Sequence, residues 1–162
     1  MKEKLKMKIN FNKNKFKIIS GIIFFIYFLI LLKLIYFKLP WQTVVMIITG
    51  EHSHYSHSLN LIPLKTITSY LKLIPSIPQI ALKNLLGNVI IFLPFGFLLP
   101  ILWSKINSSQ KIVIISIIFS FVLEISQLIL HLGSFDIDDI FLNTLGALLG
   151  YLVIKNISNY TN

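Results

Sequence analysis

"IVIISIIFSFVLEISQLILHL", residues 112–132, reads in two ways at once. As an apolar run it is long enough to cross a hydrocarbon layer about 30 Å thick, which takes a helix of about 20 residues. As a helix it also carries Ser116, Ser120, Glu124, Gln127 and His131, spaced four, four, three and four apart. That spacing sets all five on one face. Lipid does not accept such a stripe, so it must face other helices or a wet cleft. Glu124 lies about 13 Å below the outer end of the run, counting 1.5 Å per residue. A carboxyl at that depth is costly, no lysine is placed to pair with it, and it marks a functional site by default.

Partner spans are present. Residues 18–37, "IISGIIFFIYFLILLKLIYF", and 85–103, "LLGNVIIFLPFGFLLPILW", are of similar length, and 137–154, "IDDIFLNTLGALLGYLVI", is shorter and more polar. Of the 162 residues 55% are hydrophobic, and charged side chains are scarce after position 17. A water-soluble domain of that size needs a polar shell this chain lacks. The expectation is an all-α, polytopic membrane protein of about four helices. Residues 41–50 are too short to span, and Pro40 and Trp41 suit an interfacial segment. The first run is longer than a signal-peptide core and no small-residue cleavage pattern follows it, so an uncleaved span is expected.

The basic side chains are fifteen lysines, with no arginine and no cysteine. Disulfides and cysteine-based metal or redox chemistry are excluded, as is bidentate guanidinium gripping of phosphate. Positive charge near spans stays cytoplasmic. Lys2, Lys4, Lys6, Lys8, Lys13, Lys15 and Lys17 in segment 1–17, Lys105 and Lys111 in the 104–111 loop, and Lys155 in the tail put both termini inside. Residues 38–84 and the aspartate loop then face out. The net charge of +9 suits anionic headgroups of the lipid bilayer. Nucleic-acid binding is rejected, since no basic, aromatic-interleaved soluble fold supports it.

Outward from the opening stretch lies "SFDIDDIFLNTLGALLG", residues 134–150. Asp139, Asn143, Gly146 and Gly150, spaced four, three and four, share a face. The short connection predicts a tight antiparallel hairpin, with Gln127 level with Asn143 and Glu124 level with Gly146. Asn84, Gly87 and Asn88 of the second span are expected to join, so that polar groups from three helices converge in the outer half of the membrane. Plainer roles compete. One of Asp136 and Asp138 caps the fourth helix, Gly87, Gly96, Gly146 and Gly150 are packing glycines, and Asn143 and Gln127 bond to each other across the hairpin. His52, His54 and His57 of "EHSHYSH" are weak metal candidates. Histidines in a serine-rich loop are more often simply solvated, and neither metal nor cofactor is expected.

"NLIPL" at 60–64, "NLLGNVIIFLPFGFLLP" at 84–100, the Glu124 and Gln127 of "LEISQ" and "FDIDDIFLNTLGALLGY" at 135–151 resemble the VanZ-like family over residues 40–155. The resemblance implies a multi-pass protein of the bacterial plasma membrane, in a family whose founding member is associated with low-level resistance to teicoplanin, a lipid-bearing glycopeptide. By motif position it carries over Asn84, Gly87, Asn88, Pro94, Gly96, Glu124, Gln127, Asp136, Asp139, Asn143 and Gly146. Many relatives have an arginine before the aspartate motif, where this chain has Gly133 and Ser134. A function that needs that cation falls here to His131 or Lys83, or is lost.

Two functions of different class follow. One is a non-enzymatic protein whose polar cluster meets a lipid headgroup or a lipoglycopeptide at the outer leaflet. The alternative is an enzyme acting on a lipid-linked headgroup, with a divalent cation on Asp136, Asp138 and Asp139 and Glu124 as acid or base. Asp136 and Asp138 are two apart, so only an extended start to that segment lets them converge. Proton-coupled transport is disfavoured for a monomer of four spans without a repeat, and a homo-oligomer is left open.

Overall fold

A computed structural model describes residues 13–36 and 59–161; His52, His54, His57 and residues 41–50 lie outside them. Along the described chain run α1 (Lys13–Tyr36), β1 (Leu59–Asn60), α2 (Lys65–Leu73), α3 (Pro78–Leu102), α4 (Ser109–Ile129), β2 (Phe135–Asp136) and α5 (Ile137–Thr161). Four of these helices, α1, α3, α4 and α5, are long and apolar enough to cross a membrane. The protein is an all-α, multi-pass membrane protein. Its outward surface fits that solvent: Ile22, Ile90, Ile118, Phe141 and Leu145 are exposed, whereas Ser116, Ser120, Glu124, Gln127 and Asn143 are buried. Helices suit this setting because each satisfies its own backbone.

α3 starts at Pro78, well before the apolar run at Leu85, since proline fits the first turn of a helix where no amide partner is needed. α4 starts at Ser109, and the Ser108 hydroxyl accepts from the Lys111 amide at 3.4 Å. Its far end corrects the sequence reading, which ran the helix to Leu132. The helix stops at Ile129, with Leu132 N–H bonded to Gln127 O at 2.9 Å and His131 N–H to Leu128 O at 3.2 Å. This is the paired closure of a left-handed helix stop, and His131, at φ 58°, occupies the position usually given to glycine. His131 is therefore off the polar stripe and exposed.

The most extensive helix contact joins α3 and α5. It is a backbone-to-backbone seam. A Cβ added at Gly96 would come within 1.7 Å of Ala147 O, one at Gly146 within 2.1 Å of Val89 O, and one at Gly150 within 1.9 Å of Leu93 O. Gly87 differs from the packing role read from sequence: nothing lies within 4 Å of where its Cβ would be. α4 folds back antiparallel on α5, and α1 lies against α3. Tyr27 hydroxyl donates to Ile91 O at 2.9 Å, and Tyr36 hydroxyl pairs with Ser126 Oγ at 2.6 Å. Phe92, Phe95 and Phe119 fill the centre, the last two stacked with ring centroids 4.9 Å apart.

The connections at the head of α5 hold structure that the sequence reading left as loop. β1 pairs in parallel with β2, Leu59 opposite Phe135 and Asn60 opposite Asp136, and α2 packs on α3 and α5. This two-residue ladder brings the "NLIPL" stretch onto the aspartate motif.

Candidate functional site

The extended start that the aspartates need is present as β2. Asp136 Oδ1 accepts from the amide of Asp138 at 2.9 Å and from Asn60 Nδ2 at 3.0 Å. Its other oxygen accepts from the Thr66 hydroxyl at 2.6 Å. The bond to the Asp138 amide makes Asp136 the cap of α5. Asp138 serves a different helix. It is fully buried, and its carboxylate accepts from the amides of Leu64 at 2.6 Å, Thr66 at 2.8 Å and Ile67 at 3.1 Å. These amides open α2, whose capping position is filled by Leu64 at φ 65° with no side-chain oxygen to offer. A buried anion is tolerable here because three amides and the positive end of a helix neutralise it.

Glu124 extends the network into the bundle. It is 3% exposed, and its Oε2 accepts from the Asp136 amide at 3.0 Å, tying α4 to β2. The expected pairing of Glu124 with Gly146 does not form, because Gly146 faces Val89 of α3. Nor do Gln127 and Asn143 bond to each other. Gln127 Nε2 donates to Ile35 O of α1 at 2.8 Å, and Asn143 Nδ2 donates to Ser120 Oγ at 2.8 Å. The early end of α4 sets this register: the chain leaves the helix at Ile129 and descends along β2 before α5 begins, so Asn143 meets a residue a turn or two deeper in α4.

Asp139 turns into a separate space. Asn88 of α3 donates to its Oδ1. The two border a cleft of about 270 Å³. α2 contributes Thr66 and Tyr70 to this cleft, and α3 contributes Asn84. Gln127, Asp136 and the Gly133–Ser134 connection complete the wall. Asn84 itself donates to Ile80 O of its own helix at 2.8 Å and is exposed, so it sits on the rim. Burial, and then the carboxylates of Asp139 and Asp136, raise the Tyr70 hydroxyl above the ordinary tyrosine pKa.

Of the polar residues singled out from sequence, Asn84, Asn88, Gln127, Asp136 and Asp139 thus share one cleft. Glu124 lies behind it, and Asn143 is a buried tie between α4 and α5. Thr66, Tyr70 and Asn60 were missed. The signal was available in "NLIPL" and in a helix start with leucine where an oxygen-bearing side chain is usual.

Chemically the cleft offers hydroxyl and amide groups beside carboxylate. Every carboxylate oxygen of Asp136 and Asp138 accepts from a donor of the protein, so both side chains are held in place by the fold itself. Among the described residues no group of three or more His, Asp or Glu side chains is arranged to hold a metal ion.

A model of the VanZ/LLP1 family matches residues 24–158. Protein VanZ of Enterococcus faecium is 31% identical over 143 residues, which cover 88% of this chain and 77% of that protein. No solved structure matches this chain.

Proposed function

The chain belongs to the VanZ/LLP1 family, and from that premise we propose that it is a non-enzymatic bacterial plasma-membrane protein that lowers susceptibility to teicoplanin-type lipoglycopeptides. Both termini are cytoplasmic and the cleft opens at the outer leaflet, where it engages a lipid headgroup or one polar substituent of an amphiphilic drug. The single observation behind this reading is the polar cleft between α2, α3 and α5. Its volume lies just below that of ordinary small-molecule pockets, which start at about 300 Å³. It therefore suits a headgroup-sized fragment whose apolar remainder stays in the bilayer. The lysine distribution supports the orientation. The donors that hold Asp136 and Asp138 fix the wall of the cleft, which supports a preformed binding surface.

The test is the minimum inhibitory concentration of teicoplanin, with vancomycin alongside, in a susceptible Gram-positive host with and without this gene. A rise for teicoplanin alone is expected. No change for either drug would move the function to an endogenous lipid or polymer of the envelope.

A further inference from the structure

At the opposite end of the bundle, α1 and α3 part to leave an open groove of about 510 Å³. Its floor is Gly21, Phe24, Phe28 and Leu102, and Lys17 and Trp103 stand on its lining with them. Phe24 and Trp103 meet edge to face with ring centroids 5.7 Å apart, and the glycine keeps the wall low, since a Cβ at Gly21 would touch only Leu102 Cδ2, at 3.9 Å. An apolar slot with an indole and an ammonium group beside it has the layout of an acyl chain below a headgroup.

Among the described residues the charge at this end is of one sign. Lys15, Lys105, Lys111 and Lys155 lie at the same end as Lys17. The described acidic side chains, Glu124, Asp136, Asp138 and Asp139, all belong to the knot at the other end. A second copy of the chain docking here would set lysine against lysine. The chain's own segment 1–12, with Lys2, Lys4, Lys6 and Lys8 against the single Glu3, has a net charge of the same sign. An anionic lipid is the complementary occupant.

We propose that the groove between α1 and α3 is a binding site for an anionic phospholipid, with one acyl chain on Gly21, Phe24 and Phe28 and the headgroup phosphate on Lys17. The site is independent of the cleft at the head of α5 and of any drug interaction.

The protein has two tryptophans, Trp41 and Trp103, so Trp41→Phe leaves a single reporter in the groove. The full chain is reconstituted in phosphatidylcholine vesicles containing a fixed fraction of bromine-labelled phosphatidylglycerol or of phosphatidylcholine with the same labelled chains. Bromine quenches indole fluorescence at contact. We expect labelled phosphatidylglycerol to associate about fivefold more strongly than labelled phosphatidylcholine, the size of one lysine's attraction to an anionic lipid. Lys17→Gln should remove most of the phosphatidylglycerol excess, leaving the remainder due to the other lysines at this end, and Lys17→Arg should keep the difference. Gly21→Leu, which fills the floor, should lower quenching by both. Equal quenching by both lipids in the starting protein, or a phosphatidylglycerol excess undiminished in Lys17→Gln, would overturn the proposal.

Discussion

Along the face of α5 that meets α3, Gly146 and Gly150 lie against carbonyl oxygens of α3 with no side chain between. At the head of the same helix, Asp136, Asp138 and Asp139 reach outward to Asn60, to the first amides of α2 and to Asn88. The seam is a matter of space and the knot a matter of donors and acceptors. In lipid, helices gain little from hiding apolar surface from one another, so association relies on close packing and on polar contacts. This protein places the two devices on one helix, a few turns apart. The seam tolerates no added atom, whereas the knot loses stability in proportion to the acceptors its amides lose.

The largest effect should come from the seam. Gly96→Ala sets a methyl group into the carbonyl of Ala147, and neither backbone can yield without moving a helix. We expect a loss of about 3 kcal/mol or more, read as failure to recover monodisperse protein in size-exclusion chromatography. Gly87→Ala is the matched control: with open space around it, it should be neutral or stabilise by up to about 1 kcal/mol through helix propensity. Similar behaviour of the two variants would break the distinction between seam and surface.

Next is the buried cap. Asp138→Ala leaves the amides of Leu64, Thr66 and Ile67 without their acceptor, at a cost of about 3 kcal/mol. Asp138→Asn keeps one acceptor oxygen and should cost about half as much. Hydrogen exchange should show the loss as faster exchange across α2, with α3 and α4 unchanged.

Asp139→Asn and Glu124→Gln sharpen the comparison from the other side. Each keeps an oxygen for its donor, Asn88 or the Asp136 amide, so insertion and folding should persist. We expect both to abolish the effect on teicoplanin susceptibility. Full activity in both would reduce the knot to a second packing device.

The smallest effect is the titration of Tyr70. Its folded pKa is raised by burial and by Asp139 and Asp136. The folded state therefore holds this proton to higher pH than the unfolded chain does. The sign follows: Tyr70 leaves stability unchanged below the ordinary tyrosine pKa and lowers it as pH rises above that value. Ultraviolet difference titration should place its ionisation above that of free tyrosine, and Asp139→Asn should bring it part of the way down. An unmoved midpoint in that variant would separate Tyr70 from the cleft's charge.

Much of this was legible in the chain itself. Four runs of apolar residues admit only helices in lipid, and the serine, glutamate and glutamine of α4 at helical spacing had to turn inward, because each unpaired polar group in hydrocarbon costs several kcal/mol. The glycines at 96, 146 and 150 were readable as packing positions for the same reason. His131 was misplaced because nothing in its residue type marks a left-handed stop where glycine is the rule. The error carried into the register of the hairpin, so the partners of Asn143 and Gln127 were misassigned although both were rightly sent inward.

Composition, apolar run length and the spacing of polar residues thus determined the class, the number of membrane-length helices and which faces turn inward, since those depend on how one helix meets its solvent. Tertiary structure alone decided what the aspartates hold. Asp138 caps a helix that begins more than seventy residues earlier in the chain, and Asp136 pairs its strand with Asn60. Donors that far apart in sequence leave no periodic trace; they meet only when α2 is folded down against α3 and α5.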